Sequence, residues 1–104
     1  MKARKAKVNG EQEVFWMESA SNGHPVILCH GWPELWYSWR HQIEFLKPFY
    51  RVIALDFRGF GQSSCPPNIE DYSMENVTKD LIGLLDYLSV RIIYRFLLDI
   101  NLTK

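Results

Sequence analysis

Two short, unbroken apolar runs constrain the fold of this chain more than any other feature: Val26, Ile27, Leu28 and Cys29, then Val52, Ile53, Ala54 and Leu55. Each is apolar at every position, the pattern of a buried strand covered on both faces. Between them, residues 35–46 read as an amphipathic helix. Trp36, Trp39, Ile43 and Leu46 fall at i, i+3, i+7 and i+10, with Arg40, Gln42 and Glu44 on the other side. Pro48 stops that helix. Strand, helix and strand with a crossover of this length make a βαβ unit, expected to be parallel and right-handed.

The flanking segments extend this α/β reading. Asn9-Gly10 predicts a type I′ hairpin turn, which needs two residues tolerant of positive φ. It would join residues 5–8 to 13–18, where Val14 and Trp16 alternate with Phe15 and Met17. After residue 56 a polar loop rich in Gly, Ser and Pro runs from 57 to 72. Ser73 can cap a second helix, with Glu75 in its first turn favoured by the helix dipole. Its predicted apolar stripe is Met74, Val77, Leu81, Leu84, Leu85 and Leu88. Nothing between Leu88 and Arg91 reads as a strong helix stop. The segment that follows is open between strand, from Ile92, Ile93, Tyr94 and Phe96, and helix, with a lean to helix.

Bulk properties exclude several classes. The 104 residues make one domain at most. Twelve basic residues balance twelve acidic ones, which argues against nucleic acid or an anionic membrane as the main partner. Lys2, Arg4, Lys5 and Lys7 form the one local imbalance and read as a solvated, frayed start. No run approaches the roughly 20 apolar residues of a membrane span, so no membrane segment is expected. Cys29 and Cys65 lack C-x-x-C spacing and read as a buried small hydrophobe and a loop thiol. A reducing, cytoplasmic setting follows as the default. No histidines and carboxylates share metal-ligand spacing, and no cofactor is expected.

The candidate chemistry sits where the first apolar run ends, in His30, Gly31, Trp32 and Pro33. A strand that ends in such a turn and opens into a helix leaves a backbone N–H free to face a reacting group. The donor would be that of Trp32, at the carboxyl end of a parallel strand, where ligands bind in open α/β sheets. His30 suits proton transfer by its ordinary pKa, but a histidine directly after a buried strand reads better as a partner for loop backbone. After the second run the chain reads Asp-Phe-Arg-Gly-Phe-Gly-Gln-Ser-Ser from Asp56 to Ser64. Cys65 stands where a nucleophile elbow from Gly61 would need glycine, and Ser64 where a dinucleotide fingerprint from Gly59 would need one. What remains is a tight structural turn through Gly59 and Gly61, tied down by Asp56 and Arg58.

These two motifs carry a resemblance. From about Val8 to Val90 the chain resembles the first part of an α/β-hydrolase of the epoxide hydrolase group. His30-Gly31-Trp32-Pro33-Glu34-x-Trp36-Tyr37-Ser38-Trp39-Arg40 is similar to that group's oxyanion turn and following helix. Leu55-Asp56-x-Arg58-Gly59-x-Gly61-x-Ser63 is similar to its next strand and turn. The resemblance implies that Trp32 gives its N–H to the oxyanion hole and that Trp32–Pro33 is a cis peptide. It implies as fold an α/β architecture, the N-terminal portion of an α/β-hydrolase fold: a β-hairpin, then βαβ and a helix, truncated before the nucleophile-elbow strand. Residues 1–90 would be that partial domain and 91–104 a divergent tail.

The group's reaction uses an Asp in a Gly-His-Asp-Trp-Gly elbow, which attacks the epoxide carbon. Lid tyrosines hold the epoxide oxygen, and a His–acid pair activates water to cleave the resulting ester. None of the five aspartates, Asp56, Asp71, Asp80, Asp86 and Asp99, lies in a Gly-His-Asp context. The expectation is an epoxide hydrolase-like fragment that is inactive alone, its partner a small-molecule epoxide in the complete enzyme. Two alternatives stand beside it. One is a non-catalytic module that self-associates, or pairs with a full-length relative, through an exposed apolar edge of strand 26–29. The other is a fragment of a dehalogenase of the same fold.

Overall fold

The computed structural model describes residues 1–20, 23–30 and 34–90. Its centre is a four-stranded mixed sheet formed by β1 (Lys2–Asn9), β2 (Gln12–Glu18), β3 (Pro25–Cys29) and β4 (Arg51–Asp56). The strand order is β1-β2-β4-β3. β3 and β4 run parallel from Pro25↔Arg51 to Cys29↔Leu55, as a βαβ unit requires. β4 also pairs antiparallel with β2, so the second apolar run lies in an interior strand, while β3 with the first is the edge strand of this sheet among the described residues.

Because side chains alternate across a sheet, each run feeds two cores. Ile27, Cys29, Ile53 and Leu55 join Val14 and Trp16 on one face. Helix α2 (Met74–Tyr87) covers that face with Leu84, and Leu88 and Val90 follow it into the same core. Val26, Leu28, Val52 and Ala54 point the other way, onto Trp39, Ile43 and Leu46. This two-sided burial is why the runs show no alternation. β2 is also buried on both sides, so Phe15 is covered as well as Val14 and Trp16.

Five local expectations are corrected. The basic start is not frayed: β1 begins at Lys2, and Arg4, Lys5 and Lys7 pair with Glu18, Glu13 and Glu11. In the hairpin Asn9 pairs with Gln12, so Gly10 and Glu11 are the central residues. Gly10 takes positive φ there and Glu11 does not, the pattern of a II′ rather than a I′ turn. The segment predicted as one helix over 35–46 is a 3₁₀ turn at Trp36–Trp39 followed by α1 (Arg40–Leu46). The long loop contains a 3₁₀ turn of its own at Ile69–Tyr72, closed by a capping box from Asn68 and Asp71. Met74 does not belong to the stripe of α2, being 77% exposed.

The end of α2 also departs from expectation. Ser89 adopts φ 57°, the left-handed conformation usually taken by glycine. Its N–H donates to the Asp86 carbonyl, and the Val90 N–H donates to the Leu85 carbonyl at 2.9 Å. These are the two bonds of a Schellman stop, supported by burial of Val90 in the core of Leu84 and Leu88. The helix therefore ends before Arg91. The strand-or-helix question for residues 91–104 lies outside the described residues.

Close approach of α2 to the hairpin depends on Gly83, where any Cβ would run into the Val8 carbonyl oxygen. Alanine's better helix propensity cannot be realised at that contact.

Candidate functional site at the carboxyl ends of β3 and β4

The two parallel strands end side by side at Cys29 and Asp56, and the residues that follow them form one hydrogen-bonded unit. His30 is buried, and its Nε2 accepts from the Phe57 N–H at 3.0 Å. An accepting Nε2 describes a neutral ring with its proton on Nδ1, assigned from the bonding pattern. The ring meets Phe57 and Phe60 edge-on, with centroids 5.0 and 5.1 Å away. His30 thus joins the chain leaving β3 to the chain leaving β4.

Asp56 makes the second joint. It is 1% exposed, and its Oδ1 accepts from the Trp36 N–H at 2.7 Å while Oδ2 accepts from the Gln62 N–H at 3.2 Å. The first bond fastens the start of the 3₁₀ turn after β3, and the second closes the loop after β4. Gly61, at φ 50°, is what lets the loop come so close, since a Cβ there would run into the Asp56 carboxylate. Ser63 and Ser64 then hook the loop onto β2. The Ser63 hydroxyl accepts from the Phe15 N–H and donates to the Asp56 carbonyl, and the Ser64 hydroxyl accepts from the Glu13 N–H.

Arg58 reaches away from this joint to α2. Its guanidinium meets the Asp80 carboxylate through two bonds of 2.6 and 2.7 Å and gives a third to the Asp71 carbonyl. The hydrogen bonds to Asp80 hold the guanidinium above its ordinary pKa range, outweighing its burial. Asp80 also accepts from Asn9 at 2.9 Å, so hairpin, loop and helix share one buried polar node. Gly59, at φ 83°, packs against the Tyr72 ring.

Gly31, Trp32 and Pro33 lie outside the described residues, as does the expected cis bond between Trp32 and Pro33. Among the described residues, no group of three His, Cys, Asp or Glu side chains is placed to hold a metal. No described helix is long and apolar enough to cross a membrane.

Burial pushes the Cys29 thiol from an ordinary 9.0 up to about 12. In the unfolded chain the thiol ionises near 9, whereas in the folded chain it stays protonated. The unfolded state therefore binds fewer protons between those values, and stability falls as pH rises through the window. Unfolding free energies from urea titrations between pH 9 and 12 are expected to fall by up to about 1.4 kcal/mol per pH unit, a slope removed in Cys29→Ala. A slope that persists in the variant would assign the effect to another group.

The architecture is matched by a family profile. The profile described as alpha/beta hydrolase fold covers residues 24–94, which contain β3, α1, β4 and α2. The chain belongs to the α/β-hydrolase fold family. Curated proteins similar to it include epoxide hydrolases. Epoxide hydrolase 1 of Siraitia grosvenorii is 51% identical over 73 residues, 69% of this chain and 23% of that protein. Bifunctional epoxide hydrolase 2 of Sus scrofa is 49% identical over 70 residues, 66% of this chain and 13% of that protein. The crystal structure of an epoxide hydrolase from Vigna radiata superposes with a TM-score of 0.84 at 37% identity. That superposition covers 89% of this chain and 30% of the other. The epoxide hydrolase A structure from Mycobacterium thermoresistibile gives 0.78 at 42% identity, over 86% and 28%. This α/β-hydrolase chain spans less than a quarter of the curated relatives it matches.

Sequence reasoning missed three parts of the site. The anchoring of Trp36 by Asp56 links residues 20 apart, with no local signal beyond the aspartate itself. The serine hooks on β2 span about 50 positions. Asp80 had a signal, an acid on a helix face whose neighbours Leu81 and Leu84 point to the core.

Proposed function

We propose that these residues form the amino-terminal sheet and the oxyanion side of an α/β-hydrolase site that opens epoxides to diols. The observation that carries this reading is the 51% identity over 73 residues to a protein named as an epoxide hydrolase. In this reading the backbone N–H of Trp32 stabilises negative charge that develops during ester cleavage. A donor of this kind supplies about 2.7–4 kcal/mol. His30 and Asp56 serve as supports that hold the chain on either side of that turn, and Gly31 and Pro33 shape it. The attacking carboxylate belongs to a Gly-His-Asp-Trp-Gly elbow, which these 104 residues do not contain. Residues 1–90 are the hydrolase part in this proposal. A cytoplasmic setting agrees with Cys29 and Cys65 both being free thiols.

Grafting tests the proposal. Residues 24–94 replace the matched stretch of the Siraitia grosvenorii relative, and diol formation from an epoxide is measured. Turnover within about tenfold of the parent is expected, because the supplied donor and its supports match the rest of the site. The 104 residues assayed alone are expected to give no diol. A folded graft that releases halide from a haloalkane but forms no diol would replace this reading with a dehalogenase.

A further inference from the structure

The Asn9-Gly10 pair of the hairpin turn carries a chemistry of its own. An asparagine followed by glycine is open to attack on its side chain by the next main-chain nitrogen, because glycine has no Cβ to shield that nitrogen. Gly10 sits at φ 60° in open space, with nothing within 4 Å of where a Cβ would stand. In this reaction the Gly10 nitrogen bonds to Asn9 Cγ, the Cγ–Nδ2 bond breaks, and ammonia leaves with the amide proton. One water then opens the cyclic imide. Opening at Cγ leaves aspartate, whereas opening at the Asn9 main-chain carbonyl leaves isoaspartate, in which the main chain runs through the former side chain.

In the folded chain the leaving nitrogen is engaged. Asn9 Nδ2 donates to Asp80 Oδ1 at 2.9 Å, and the same oxygen accepts from Arg58 Nη2 at 2.7 Å. Asp80 is fully buried, so Asn9 is held by a charge-assisted bond in the protein interior. That bond must break before the side chain can swing back onto Gly10. A hydrogen bond to a charged group slows such a step roughly tenfold or more. The products fit the node badly. Either one puts a carboxylate where a donor stood, so two acceptors meet at Asp80 with no proton between them. Isoaspartate also lengthens the main chain by one carbon directly after Val8. The Val8 carbonyl lies against Gly83 of α2, where there is no room even for a Cβ.

We propose that Asn9 is a self-modification site guarded by Asp80: it converts to aspartate or isoaspartate when the Arg58–Asp80–Asn9 node opens, and the converted chain no longer closes that node. Water is the one co-reactant. Conversion leaves a one-way record of past unfolding, and it is independent of the proposed epoxide chemistry.

The test incubates the 104-residue chain at mildly alkaline pH, with and without denaturing urea, and follows conversion by mass spectrometry. Peptide mapping separates residue 9 from Asn22, which also precedes glycine. Conversion at residue 9 is expected to be at least about tenfold slower in the folded chain than in urea. Arg58→Met/Asp80→Leu removes the node, and the folded variant is expected to convert at close to the rate in urea. Chains converted only at residue 9 are then separated by charge and refolded. Their unfolding equilibrium is expected to lie about tenfold or more toward the unfolded state, relative to unconverted chains from the same incubation. Asn9→Asp, made directly, is expected to match the aspartate fraction. The urea comparison and the refolding measurement stand even where the double variant does not fold. Three results would overturn the proposal: equal conversion with and without urea, a folded double variant as protected as the parent chain, or converted chains as stable as unconverted ones.

Discussion

Asp80→Ala is expected to cost about 3–5 kcal/mol, enough to unfold a domain whose whole stability lies near 5–15 kcal/mol. The Asp80 side chain is 1% exposed and that of Arg58 is 7% exposed, so removing the carboxylate strands a guanidinium in the protein interior. Two hydrogen bonds from Arg58 and one from Asn9 are lost together. The loss spreads because the node ties hairpin, loop and helix to one another. Urea denaturation followed by far-UV CD measures the effect. The double variant Arg58→Met/Asp80→Leu is expected to lose less than Asp80→Ala, because no unpaired charge remains buried. If Asp80→Ala lost less than about 1 kcal/mol, the pair would be no more than a surface-like bridge.

Trp16→Ala is expected to cost a comparable amount, about 3–5 kcal/mol, by a different mechanism. Trp16 is fully buried in the middle of β2, opposite Arg4 on one neighbour and Leu55 on the other. Its ring meets Tyr87 of α2 edge-on at 5.9 Å and lies under the Arg4 guanidinium at 5.2 Å, while its Nε1 donates to Glu18 at 3.0 Å. Alanine leaves a cavity between sheet and helix that backbone on both sides prevents from collapsing. Trp16→Phe restores most of the volume and not the hydrogen bond, and should recover more than half of the loss. Matching midpoints for Trp16→Ala and the parent chain would show that the cavity closes, contrary to this account.

The elements with dense apolar patterning are legible in the residue order. The runs at 26–29 and 52–55, apolar at every position, fit strands covered on both faces, the usual pattern of a parallel unit flanked by helices. Trp39, Ile43 and Leu46 cover one face, and Leu84 and Leu88 cover the opposite face. The helix start at Ser73 is equally legible, since its hydroxyl does accept from the Asn76 N–H. The stop at Ser89 is not, because a left-handed serine carries no sequence mark comparable to glycine and is held there by Val90 reaching the core. Met74 fails the stripe for the converse reason: helical spacing assigns it to the apolar face, but as the first residue of α2 it is left 77% exposed.

Residue order was enough to place the chain in its family, through His30-Gly31-Trp32-Pro33 and the Asp56-to-Ser64 turn, because backbone geometry at a strand end tolerates few residue types. Periodicity was likewise enough for the parallel pair and its covering helices. How the site region is held became visible only in three dimensions: Asp56 on the Trp36 N–H, His30 on the Phe57 N–H, and Arg58 on Asp80. Those bonds join residues 20 to 27 positions apart. A chain's local pattern records which groups need partners but not which distant groups will meet them.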